Sequence, residues 1–161
     1  DLRMSRGLGD VYKRQASPYT NLFIPSANLS YLIQAESFAL MNPLEFVNDS
    51  YAMVDLTYWM DGMIFNRIPL LKKLRLREVL SFKGLWGHLS PKNNPVYNPD
   101  LFTLPADVHT TRMTNMPYME VSAGVDNIFR IFRVDAVWRL SYRNAFDAPN
   151  FGVRAGFHVT F

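Results

Sequence analysis

Phe151-Gly152-Val153-Arg154-Ala155-Gly156-Phe157-His158-Val159-Thr160-Phe161 puts an apolar residue at every odd position and a small or polar one at every even position. Successive side chains of an extended strand point to opposite faces, so this stretch predicts a strand with one wholly apolar face. A strand that crosses a bilayer obliquely needs about 9–11 residues. Alternation between lipid-facing and interior-facing residues is the pattern of a transmembrane barrel strand.

The alternation recurs upstream. In 133–143, Val134, Ala136, Trp138, Leu140 and Tyr142 oppose Arg133, Asp135, Val137, Arg139, Ser141 and Arg143. In 118–126, Met119, Val121, Ala123 and Val125 oppose Tyr118, Glu120, Ser122, Gly124 and Asp126. Segment 51–61 sets Ala52, Val54, Leu56, Tyr58 and Met60 against Tyr51, Met53, Asp55, Thr57, Trp59 and Asp61. Segments 77–89 and 29–40 repeat the pattern less cleanly. These six segments exceed the 5–6 residues common in soluble sheets. They predict an all-β, antiparallel up-and-down transmembrane β-barrel, present here as about six strands. Six strands do not close a barrel of useful size, so a sheet edge and a lipid-facing apolar surface are expected.

The connections fit that topology. Stretches 42–50, 90–117 and 144–150 are polar and rich in Pro and Asn, whereas 67–76 and 127–132 are each short and apolar-basic and are expected to hold about one helical turn. With the C-terminus on the periplasmic side, the long connections lie outside the cell and the short ones in the periplasm. The ten residues of 67–76 are long for a periplasmic turn.

Composition excludes more than it identifies. Apolar residues make up 48% and aromatic residues 14% of the 161-residue chain, which leans toward β structure. No apolar run reaches the roughly 18 residues of a spanning helix. There are no cysteines, hence no disulfide or thiolate chemistry. The formal charge is +3, and residues 1–15 supply four basic and two acidic residues of it. Residues 16–161 therefore carry 13 basic and 12 acidic residues, a balance that gives no nucleic-acid surface. The segment 1–15, ending Gly9-Asp10-Val11-Tyr12-Lys13-Arg14-Gln15, resembles a translated sequencing adaptor; the alternative is a disordered basic arm. On the first reading the natural chain is truncated upstream, and 16–161 is the C-terminal part of one barrel domain.

With the apolar parity toward lipid, Glu120, Asp126, Asp135, Arg139, Arg143, Arg154 and His158 project into the lumen. A charge on the lipid face would cost about 2–4 kcal/mol near the midplane. In the lumen the charges hydrate the interior and pin strand register. No spacing joins two carboxylates as an acid–base pair, and His88, His109 and His158 stand apart, so no catalytic, metal or cofactor site is expected. Tyr58, Trp86, Trp138 and Tyr142 fall near strand ends and suit a membrane–water interface.

From about residue 29 onward the chain resembles a family of Gram-negative outer-membrane barrels that carry an N-terminal carboxypeptidase-regulatory-like module. These are distant relatives of the surface-antigen and outer-membrane-assembly barrels. The resemblance rests on Ser37-Phe38-Ala39-Leu40-Met41-Asn42-Pro43-Leu44-Glu45-Phe46, Asn66-Arg67-Ile68-Pro69-Leu70-Leu71-Lys72-Lys73-Leu74 and Leu76-Arg77-Glu78-Val79. It continues in Pro117-Tyr118-Met119-Glu120, Gly124-Val125-Asp126-Asn127-Ile128-Phe129, Arg133-Val134-Asp135 and Trp138-Arg139-Leu140-Ser141-Tyr142. It implies a larger barrel of 16 strands in a Gram-negative outer membrane, a non-enzymatic protein with a structural, transport or assembly and secretion role. Its partners would be outer-membrane lipid and the barrel-insertion machinery, which would read Phe157, Val159 and Phe161 as its signal. The alternative is a soluble antiparallel barrel or sandwich with the apolar parity inward around an apolar ligand.

Overall fold

The computed structural model describes residues 22–98, 101, 109–145 and 147–157. Five long strands form one antiparallel sheet in sequence order: β1 (Ser50–Trp59), β2 (Arg77–His88), β3 (Tyr118–Ile128), β4 (Phe132–Arg139) and β5 (Phe151–Phe157). Each pairs with its chain neighbour, as an up-and-down meander requires. The chain is therefore all-β, and the sheet is open rather than closed.

Two expectations need correcting. Segment 29–40 is not a sixth strand: it makes only isolated bridges, Ala27 with Phe38 and Leu32 with Ala155, both parallel. Strand β4 stops at Arg139 instead of 143. Tyr142 takes φ 52°, a left-handed conformation that ends an extended run.

The register decides the faces. One face carries Val54, Leu56, Tyr58, Leu80, Trp86, Val134, Trp138, Phe151, Val153 and Phe157, all exposed. The other carries Val79, Leu85, Tyr118, Glu120, Ser122, Asp126, Asp135, Val137 and Arg139, all buried. Over β2, β3 and β4 the sheet thus covers its charged face and bares its apolar one, the reverse of a soluble sheet with one solvated side, while β1 is exposed on both faces.

The cover is a strap, residues 22–48. Phe23 and Asn48 close its ends on each other through two main-chain bonds (2.7 and 3.0 Å), and Asn28 and Phe38 cross-link its middle. Its apolar residues Phe38, Met41 and Phe46 pack with Leu85, Met113 and Tyr118 into a small core. Phe38 meets Tyr118 edge-on at 5.4 Å between ring centres, and Phe46 lies 5.3 Å from the same ring. The strap approaches so closely that a Cβ on Gly152 would lie 2.8 Å from Leu40 Cδ2. A Cβ on Gly124 would occupy the place of the Asp135 carboxylate.

The sheet edges differ. Along β5, Ile33 N–H donates to Ala155 O (2.7 Å) and Ala155 N–H to Tyr31 O (2.8 Å). Among the described residues, strand β1 pairs with β2 alone. Between β1 and β2 the chain makes a short helix, α1 (Pro69–Lys72), which Pro69 opens after the extended Ile68. No helix among the described residues is long and apolar enough to span a bilayer.

Candidate functional site: the charged wall beneath the strap

The register aligns four charges of alternating sign in one row across four strands. Asp55 faces Lys83, Lys83 faces Glu120, and Glu120 faces Arg139. Lys83 Nζ lies 3.3 Å from Asp55 and also donates to the carbonyls of Ala35 and Ser37 in the strap. Beside this row, Ser81 and Ser122 share a hydroxyl hydrogen bond. Below it, Arg133 grips Asp135 through two bonds (2.9 and 2.7 Å) along the same face of β4.

Glu120 accepts three hydrogen bonds: from Ala39 N–H (2.9 Å), from Leu40 N–H (2.8 Å) and from the Tyr118 hydroxyl. On the other side of the same strap peptide, Arg154 donates to Ala39 O. The peptide group between Ala39 and Leu40 therefore lies with its N–H against a carboxylate and its carbonyl against a guanidinium. Both contacts are charge-assisted and stronger than neutral ones. Arg139, whose side chain is fully buried, pairs with Glu45, itself 2% exposed. It also donates to Leu40 O (3.2 Å) and Ser141 O (3.1 Å) and stacks over the Tyr118 ring at 4.7 Å. A buried pair needs such extra bonds to offset the cost of desolvation.

Between strap and wall remains a cleft of about 180 Å³, whose polar lining includes Asp55, Thr57, Ser81, Lys83, Glu120 and Arg154. Outside the sheet, Asp49 anchors the 90–93 turn by accepting bonds from Ser90 N–H (3.0 Å), the Ser90 hydroxyl and the Asn93 amide (2.9 Å). Burial raises its pKa, but these bonds, with the His88 charge, outweigh it and hold the carboxyl below its ordinary value of 3.8.

Of the residues expected to face the interior, Glu120, Asp126, Asp135, Arg139 and Arg154 share the covered face. Arg143 does not: it lies in the exposed turn after β4. His158, Val159 and Phe161 lie outside the described residues, as does the segment 1–15. Phe157 is exposed on the apolar face and packs on Phe132 at 5.0 Å. Tyr58, Trp86 and Trp138 are exposed on that same face near strand ends, with Trp138 5.6 Å from Phe151. Tyr142 is the exception. Its ring packs on Phe46 at 5.0 Å and its hydroxyl donates to Met116 O at 2.6 Å, so it buttresses the loops instead of an interface. Sequence reasoning missed Glu45 as the partner of Arg139, because 94 residues separate them. Among the described residues no three His, Cys, Asp or Glu side chains gather as a metal site.

Comparison with family models, curated proteins and solved structures yields no match to this chain.

Proposed function

We propose that this protein is an integral outer-membrane β-barrel protein of a Gram-negative bacterium, non-enzymatic, with a structural, transport or assembly and secretion role. The observation that carries the reading is the inverted sheet: the apolar face is bare across five strands, while the charged face is covered over β2, β3 and β4. Monomeric soluble proteins rarely expose apolar patches beyond a few hundred Å². Hydrocarbon favours such a face, and the polar strap then lies on the lumen side. Aromatic side chains flank the bare face at both ends, Trp86, Trp138 and Phe151 at one and Tyr58, Phe132 and Phe157 at the other. Five strands form an arc and not a cylinder, so the barrel of this reading is larger than the sheet. The resemblance to outer-membrane barrels supplies the compartment and the insertion machinery as partner. The acidic residues Glu45, Glu120 and Asp135 are each held by buried bonds to the strap or to arginine, which suits scaffolding more than acid–base chemistry.

The three tryptophans test it. Trp86 and Trp138 lie on the apolar face and Trp59, itself exposed, on the opposite, charged one. In vesicles containing brominated lipid, variants retaining only Trp86 or only Trp138 lose most of their fluorescence, while one retaining only Trp59 keeps it. Equal quenching at all three overturns the reading, and quenching at none favours the soluble barrel with its apolar parity inward.

A further inference from the structure

The end of the sheet made by the β1–β2 and β3–β4 connections carries five exposed basic residues: Arg67, Lys72, Lys73, Arg75 and Arg130. The two connections are joined, because the Asn127 side-chain amide donates to the Arg75 carbonyl at 2.6 Å. The acidic groups nearby are already engaged. Asp61 lies 3.6 Å from Arg77, and Glu78 is buried with its carboxylate on the Ile64 and Phe65 N–H groups. Among the described residues, no carboxylate pairs with any of the five. Interleaved with them, Leu70 is 76% and Phe129 84% exposed. The opposite end of the sheet has no such concentration among its described residues, where Lys92 and Arg112 lie far apart along the β2–β3 connection and Arg143 in the β4–β5 one.

We infer that this end is a basic collar that binds the phosphates of anionic phospholipid in the leaflet next to it, an inference that rests on the membrane reading above. Three features select lipid over a soluble polyanion. The cations border the bare apolar face, where Tyr58, Phe132 and Phe157 end it. Leu70 and Phe129 stand among the charges and gain only by entering an acyl boundary. Long basic side chains reach from that boundary to the phosphate level while their stems stay in apolar surroundings. A nucleic acid or acidic protein would use the charges and leave these side chains in water.

Each cation near an anionic surface favours it by about fivefold, before screening by salt. A Tyr58→Trp substitution, in a chain whose native tryptophans are replaced by Phe, places a reporter on the bare face beside the collar. The chain is reconstituted in phosphatidylcholine bilayers containing a fixed fraction of brominated lipid. Brominated phosphatidylglycerol is expected to quench the reporter at least about twofold more than brominated phosphatidylcholine does at equal fraction. The excess vanishes in 1 M salt and in the Lys72→Gln/Lys73→Gln/Arg75→Gln variant, while quenching by the neutral lipid is retained. A reporter at Trp86, at the other end, sees no excess. Equal quenching by both lipids overturns the collar and leaves the membrane reading standing; quenching by neither overturns both.

Discussion

Replacing Glu45 by Gln removes one charge from a pair that solvent does not reach. Arg139 is fully buried and Glu45 2% exposed, so the guanidinium left behind is not rehydrated unless the strap lifts. Breaking a buried pair in this way costs about 3–5 kcal/mol. Arg139 keeps its bonds to Leu40 O and Ser141 O, the Tyr118 ring at 4.7 Å and Glu120 as cross-strand neighbour. Those residual partners place the expected loss at the lower end, about 3 kcal/mol, or roughly 150-fold in the unfolding constant. Arg139→Met is expected to cost at least as much, because it leaves the Glu45 carboxylate with Asn42 N–H at 2.9 Å as its remaining donor. The double variant removes both charges and is expected to cost about the same as either single one, a coupling of about 3 kcal/mol. Urea unfolding in detergent micelles, followed by tryptophan fluorescence, measures all three. Losses below about 1 kcal/mol for Glu45→Gln, or additive losses in the double variant, would refute the reasoning. They would mean that water reaches the pair and that the strap does not seal it.

Two further outcomes follow from the same geometry. Gly124→Ala drives a methyl into the space of the Asp135 carboxylate and to 3.0 Å from Val134 O, so it is expected to destabilise the sheet by about 1–3 kcal/mol in the same assay. The Asp49 carboxyl has its pKa lowered on folding, so its stabilisation is complete above the unfolded value of 3.8 and disappears as pH falls through the folded one. Protease cleavage within 90–98 is therefore expected to be flat from pH 5 to 8 and to rise in an acid-stable protease assay below about pH 3.8. In Asp49→Asn the acid dependence is lost.

Much of the sheet was legible because alternation is a local signal. Segments 51–61, 118–126 and 151–161 announce β1, β3 and β5, since one parity of each is wholly apolar. Segment 77–89 is murkier for a physical reason: Val79 and Leu85 are both buried on the covered face, Leu85 against the strap, so both parities of β2 are apolar. The strap deceived for a related reason. Residues 29–40 have the composition of a strand, yet apart from isolated main-chain bonds at Tyr31, Ile33 and Phe38 they are held by the side chains of Lys83, Glu120 and Arg154, and such contacts leave no periodicity behind. Glycines offered a clue. Gly87, Gly124, Gly152 and Gly156 all occupy the covered parity, and a Cβ on each would crowd a side chain crossing it. A polar strand face punctuated by glycine signals that something lies on it. Tyr142 went astray because the end of β4 depends on a backbone reversal that alternation does not encode.

The unequal edges give the sheet a direction of growth. An incoming strand at β5 must first evict Tyr31–Ile33 from two main-chain bonds, whereas along β1 it meets ten residues that, among the described residues, pair on one side only. Recruitment is therefore one-sided, like a zipper with one end stitched shut. Misassembly follows the same rule: chains would associate first through β1 against β1, leaving the guarded edge as the last to be lost.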